Sequence, residues 1–187
     1  MATPRRHDDN LVRTAMRLFR RQGYAATGLQ QILEMSGAPR GSLYHYFPQG
    51  KEAIGAAAVA LAGEMVAESL EQLAAEHATP EAFLAAYFRL YATWMEESKF
   101  QSGCPIATTL LETAPQSKQI TAAGLAAFQK WTRIITSVFK RAGVETRVAK
   151  QHAELTIAAL EGALILARVT RSKEPILNAG RALVRIG

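Results

Sequence analysis

Between Ser36 and Pro48 the chain reads SGAPRGSLYHYFP, which gathers a guanidinium (Arg40), a hydroxyl (Ser42), two phenols (Tyr44 and Tyr46) and an imidazole (His45) around Gly41. Thr27 and Lys51 flank this stretch with a second hydroxyl and an ammonium. Donors of this kind, packed closely and without a paired acid, suit a partner rich in acceptor oxygens, such as the phosphates and base edges of a duplex. The charge agrees. Residues 1–51 carry eight Lys and Arg against three acids, whereas the remaining residues carry 14 bases and 13 acids, so the net charge of +6 sits almost wholly in the first quarter of the chain. Such an excess attracts a polyanion or an anionic membrane surface. Catalytic chemistry is poorly provided for. Cys104 is the one cysteine, and pairing it with His77 or His152 yields a nucleophile and a base with no nucleophile elbow near them. One cysteine also excludes an internal disulfide and a cysteine-rich zinc site, so no metal and no cofactor is expected.

The elements that must position these groups are helices, because every periodic segment has helical spacing and none a sustained period of two. Asp8 and Asp9 stand where N-cap acceptors would, and Leu11, Ala15, Leu18 and Phe19 form the apolar stripe of a first helix closed by Gly23. Thr27 and Gln30 read as a capping box opening a short second helix with Leu29, Ile32 and Leu33 inward. Ser36 and Gly37 stop it. Pro39 suits the first turn of a third helix, which Pro48 and Gly50 keep short. Two short helices across a tight turn, braced by a longer one, make a helix-turn-helix. Leu43 and Phe47, four apart, can share the inward face, which turns most of Arg40, Ser42, Tyr44, His45 and Tyr46 outward. The amino terminus lacks the apolar run of a secretion signal and no stretch approaches 18 uncharged apolar residues, so the protein is read as cytoplasmic.

The run from Thr27 through Ile32 and Ser36-Gly37 to Gly41, Leu43-Tyr44, Tyr46-Phe47 and Lys51-Glu52 resembles the DNA-binding signature of the TetR family of bacterial transcriptional regulators. The segment SGCPIATTLLE (Ser102–Glu112) and the junction FPQGKEA further resemble the LmrA/YxaF-like branch. The resemblance implies an all-α homodimer of about nine helices per chain, with a DNA-binding head over residues 1–50 and an effector-binding and dimerisation body over 51–187. It also implies that Thr27 and Lys51 contact phosphates, that Arg40 reaches a base or phosphate, and that Gly41 admits close backbone approach. Ser42, Tyr44, His45 and Tyr46 then meet phosphates or thymine methyls. The chain departs from the common pattern at Pro39, where many relatives carry a phosphate-binding serine. His45-Tyr46 reverses the frequent Tyr-His order, and PQG lengthens the junction by one residue.

Beyond Lys51 the sequence predicts helices from Lys51 to about His77, from Pro80 past Trp94, after Pro105, from about Gln119 to Ala142, from Glu145 to Thr170 and from about Glu174 to Arg185. Tyr91, Trp94, Phe100, Phe128 and Trp131 mix apolar area with donors, as binding cavities do, and together with Cys104, Leu111 and Glu161 are candidates for an effector site. An apolar or aromatic small molecule is the expected effector, with Glu161 as anchor for a polar or cationic group. The stretch Glu154–Val169 is apolar nearly all round and must be covered on more than one side. The resemblance assigns it, with Ile176 to Leu183, to an intersubunit bundle in which Leu160, Gly162, Leu164, Ile176 and Leu183 meet a second copy. The reading is a ligand-responsive repressor on a palindromic operator, and a thiol-sensing repressor acting through Cys104 stays open beside it. An enzyme and a membrane-surface protein are remote alternatives. Arg40→Ala is expected to relax discrimination at one symmetric operator position, measured by binding to single-position duplex variants; equal loss on every sequence would make Arg40 a phosphate clamp.

Overall fold

A computed structural model describes residues 5–186, leaving aside the side chains of residues 5–7, 40, 105 and 186. Among the described residues there are nine α-helices and no strand: α1 (Arg5–Gln22), α2 (Leu29–Ser36), α3 (Arg40–Tyr46), α4 (Lys51–Glu76), α5 (Pro80–Glu97), α6 (Pro105–Thr113), α7 (Lys118–Arg141), α8 (Thr146–Thr170) and α9 (Glu174–Ile186). The expected bounds hold to within a residue or two from α4 onward. The chain divides into two compact units, Met1–Glu64 with Pro105–Ala127, and Met65–Cys104 with Phe128–Gly187. This differs from a single boundary at residue 50, because α4 and α7 each supply residues to both units and α6 belongs with the amino-terminal helices.

In the first unit, α1 buries Leu11, Ala15, Leu18 and Phe19 against Ile32 and Leu33 of α2, Leu43 of α3, and Ile54 and Ala58 of α4, with Tyr24, Leu29 and Phe47 packed around them. Asp8 lies in the first turn of α1 and Arg20 and Arg21 in its last, both favourable to the helix dipole. Gly23 (φ +89°) and Gly37 (φ +67°) take the left-handed turns that end α1 and α2. The expected capping box does not form. Gly28 is the N-cap of α2, the Thr27 hydroxyl donates to the Gly23 carbonyl at 2.7 Å, and the Gln30 amide donates to Glu34 at 2.8 Å. The reason is the tightness of the turn, which buries Thr27 completely before the helix starts. Pro39 likewise stands at the N-cap of α3 rather than inside its first turn. Elsewhere in this unit glycine permits close helix contact: a Cβ on Gly63 would meet that of Ala127 at 2.7 Å.

The second unit is built on α5, which buries Phe83, Tyr87, Phe88, Tyr91 and Met95. Thr79 caps it, accepting from the Ala82 amide at 3.3 Å, with Pro80 in the first turn. α9 packs on α5 and on α8, and Gly180 lets the two backbones close in, since a Cβ there would sit 2.8 Å from that of Phe88. Glu145 caps α8 by accepting from the amides of Arg147 and Val148 at 2.9 and 3.1 Å. An ion pair from Lys173 to Glu96 at 2.8 Å joins the start of α9 to the end of α5; both groups are exposed, so it adds at most about 1 kcal/mol.

One expectation about the carboxyl-terminal helices is corrected. α8 leaves an apolar face open, with Ile165 60% and Val169 78% exposed and Leu155 and Leu166 also open, but that face does not carry the leucines named for a second copy. Leu160, Leu164, Ile176 and Leu183 are instead buried within the second unit, because the α8 and α9 faces that carry them form its core. Of the five positions assigned to a second copy, Gly162 alone is exposed. α4 is long and apolar enough by composition to cross a membrane, yet half of its most apolar stretch is buried inside the protein, as in a core helix. Leu43 is wholly buried in the head core. Leu43→Ala is expected to cost about 2–5 kcal/mol in urea unfolding of the full chain; a loss below about 1 kcal/mol would show that α3 is held by other contacts.

Candidate nucleic-acid interface and effector site

Fixing Leu43 inward decides what α3 shows to solvent. At 100° per residue its neighbours turn away from the core. Tyr44 is 65% exposed, Gly41 and His45 are exposed, and Ser42 and Tyr46 are partly so. A Cβ on Gly41 would meet nothing within 4 Å, so the backbone there is open to approach. The His45 and Tyr46 rings meet edge to face with centroids 4.9 Å apart, which limits their freedom before any partner arrives. The Arg40 side chain lies outside the described residues. Thr27 does not present its hydroxyl, because it is buried and spent on Gly23.

Lys51, the first residue of α4, is folded over the α1–α2 turn. Its Nζ donates to the Ala25 carbonyl at 3.3 Å and stands 4.4 Å from the centre of the Tyr24 ring, a favourable cation–π arrangement. Burial pulls the ammonium below the ordinary lysine value, and the nearby Glu112 charge opposes that shift. Tyr24 is held above its ordinary value by burial and then by Glu52. Neither Tyr24 nor Glu112 is marked in the sequence as part of this region. Gly23 signals the turn, but the acid that accepts from the Tyr24 amide lies 88 residues beyond Tyr24, out of reach of any local pattern.

In the second unit the structure brings together Tyr91, Cys104 and Glu161 of the effector candidates, and adds Tyr87. The Tyr91 hydroxyl donates to the Tyr87 oxygen, and burial pushes both phenols well up. Their rings meet edge to face at 5.2 Å, and Trp94 continues the row at 5.0 Å from Tyr91. The Cys104 thiol donates to the Glu161 carboxyl, and burial holds that carboxyl above the ordinary carboxylate value. Trp131 is buried and meets the half-exposed Phe128 at a right angle, 5.2 Å away. Phe128 lines a different place, an open cleft of about 490 Å³ shared with Thr132, Lys150 and Ile157. Phe100 is partly exposed in a left-handed backbone turn (φ +59°). Leu111 does not belong to the set: it is 79% exposed, since Ile106 and Thr109 occupy the inward face of α6.

Residues 11–58 match the family of bacterial regulatory proteins of the TetR type, and residues 80–182 match the carboxyl-terminal domain of LmrA/YxaF-like transcriptional regulators. The chain is 32% identical over 169 residues to an uncharacterized HTH-type transcriptional regulator, YxaF, of Bacillus subtilis, covering 90% of this chain and 88% of that protein. It is 34% identical over 173 residues to another uncharacterized HTH-type transcriptional regulator from Mycobacterium tuberculosis, covering 90% and 87%. A crystal structure of a regulatory protein TetR from Rhodobacter sphaeroides superposes with a TM-score of 0.85 at 25% identity, over 96% of this chain and 97% of that one. These relatives are transcriptional regulators and not enzymes, which removes the pairing of Cys104 with a histidine as a catalytic reading. With a helix-turn-helix core that turns Tyr44 and His45 to solvent, and with family matches over both its parts, the chain belongs to the TetR family of DNA-binding transcriptional regulators, in its LmrA/YxaF-like branch.

Proposed function

We propose that the protein is a cytoplasmic, ligand-responsive repressor that binds a palindromic operator as a homodimer, with residues 1–50 contacting DNA and 51–187 taking the effector and the second copy. The observation that carries this reading is α3, where a wholly buried Leu43 leaves the neighbouring Tyr44 and His45 exposed on a convex surface. Gly41, Ser42, Tyr46 and Lys51 are the further proposed contacts to DNA, together with Arg40, whose side chain lies outside the described residues. For the dimer, the support comes from α8: Leu155, Ala158, Gly162, Ile165 and Val169 are exposed and recur at alternating steps of three and four residues, the seam spacing of paired helices. This stripe replaces the buried leucines as the proposed subunit contact. Half-sites would then lie about 34 Å apart, or a multiple of it.

The effector reading centres on the row Tyr87, Tyr91 and Trp94 with Cys104 and Glu161. A half-buried carboxyl beside aromatic faces suits a flat apolar molecule bearing a cationic or hydrogen-bond-donating group. A coupling of 1 to 3 kcal/mol would weaken operator binding about 5- to 150-fold. Thiol sensing through Cys104 is the weaker reading, because a carboxylate neighbour raises a thiol's pKa and lowers its thiolate fraction.

Duplexes selected from a random pool by the full chain are expected to contain an inverted repeat, and Ile165→Glu is expected to give monomers by light scattering with loss of that binding. Selected sites without symmetry, or an unaltered chain that is monomeric by light scattering, would overturn the homodimer reading, and a dimer that survives the substitution would overturn the α8 stripe as its contact. Glu161 supplies a pH test. Its folded pKa lies above 4.5, so from that value upward the folded protein keeps a proton that the unfolded chain has lost, and stability falls as pH rises until the raised value is passed. Glu161→Gln is expected to flatten the dependence of the thermal midpoint on pH and to raise the midpoint near neutrality; an unchanged profile would place the carboxyl in water.

A further inference from the structure

The connection between α1 and α2 turns on Gly23 and aims two successive backbone amides, those of Tyr24 and Ala25, at one point. Successive N–H groups converging in this way form a nest for an anion. The nest is filled from within the chain: Glu112, near the end of α6, accepts from the Tyr24 amide through Oε1 at 3.0 Å and from the Ala25 amide through Oε2 at 2.6 Å. A second observation shows how closely the carboxylate is seated. A Cβ on Gly23 would collide with Glu112 Oε1, so any larger residue there would have to push the carboxylate aside besides adopting a φ of +89°. Lys51 grips the same turn, through the Ala25 carbonyl and the Tyr24 ring. The turn in turn sets the start of α2, since Thr27 bonds back to Tyr24 and Gly23 through its amide and hydroxyl.

We propose that Glu112 is a positioning residue for DNA binding: by seating the Tyr24–Ala25 turn it holds Lys51 and the start of α2 in the arrangement that meets a duplex. The proposal rests on the head being the DNA-binding part. Electrostatics alone has the opposite sign. Glu112 is a negative charge beside a basic surface, so removing it should strengthen attraction to phosphates. Positioning makes its removal weaken binding, and the two accounts therefore separate on direction.

The test uses the full chain and a duplex selected by the unaltered protein. Glu112→Gln keeps the size of the side chain but can accept only one of the two amides. It is expected to weaken duplex binding about 10-fold with an unchanged helical circular dichroism signal, and to lower the slope of log affinity against log salt by about one. Lys51→Ala is expected to cost clearly less in the Glu112→Gln background than in the unaltered protein, because both act through one contact. Glu112→Asp, which keeps the charge on a shorter arm, should fall between the two. Equal or tighter binding by Glu112→Gln, or full additivity with Lys51→Ala, would overturn the proposal. Should the variants fail to fold, hydrogen exchange of the unaltered protein decides: protected Tyr24 and Ala25 amides support the seating, and rapid exchange at both overturns it. If the unaltered protein selects no duplex, the reading of the head falls and this one with it; selection with an unaffected Glu112→Gln sinks this one alone.

Discussion

A helix of seven residues does not persist in water, because nucleation costs more than so few hydrogen bonds return. α3 is that short, and it exists because Leu43 is inserted into a core shared by α1, α2 and α4, with the Phe47 amide closing its last turn onto the Leu43 carbonyl at 2.8 Å. The presentation of Tyr44, His45 and Tyr46 follows from this insertion. A rotation of α3 by one residue would bury Tyr44 and expose Leu43, losing on the order of 2 kcal/mol of apolar burial. The head is therefore a rigid way of holding a small polar surface in a fixed register.

The second unit meets a different constraint, that of polar groups inside an apolar layer. Tyr87, Tyr91, Cys104 and Glu161 satisfy one another in pairs, which avoids the cost of isolated buried donors. The carboxyl nonetheless keeps an elevated pKa, the sign that pairing offsets only part of its desolvation.

Much of this was legible in the sequence, for reasons that differ by element. Helices with a strong break at each end, such as α5 between Thr79-Pro80 and Ser98, announce themselves through local chemistry. The outward face of α3 follows from one hydrophobic pair, Leu43 and Phe47. What could not be read depends on choices between equally apolar faces or on distant partners. α8 carries leucines and isoleucines around most of its circumference, so naming Leu160 and Leu164, rather than Ile165 and Val169, as the residues that meet a partner was a choice the periodicity alone does not make. The Thr27–Gln30 spacing fits a capping box, but a tertiary requirement, the buried turn at Gly23, took the threonine first. Leu111 has the right residue type for a pocket on a helix whose inward face is already taken. Glu112 closes the segment Ser102–Glu112, but nothing local there points to the turn between α1 and α2.

The contact between Glu112 and Gly23 also orders the substitutions open to the lineage. Two barriers stand at position 23, a left-handed backbone that asparagine tolerates better than most residues and a carboxylate that any Cβ would displace from its seat. Loss of the acid removes the second barrier and leaves the first. Drift at residue 23 is thus coupled to residue 112: an asparagine that arrives while the acid remains pushes the carboxylate off the two amides, whereas one that follows the loss of the acid meets only the backbone preference.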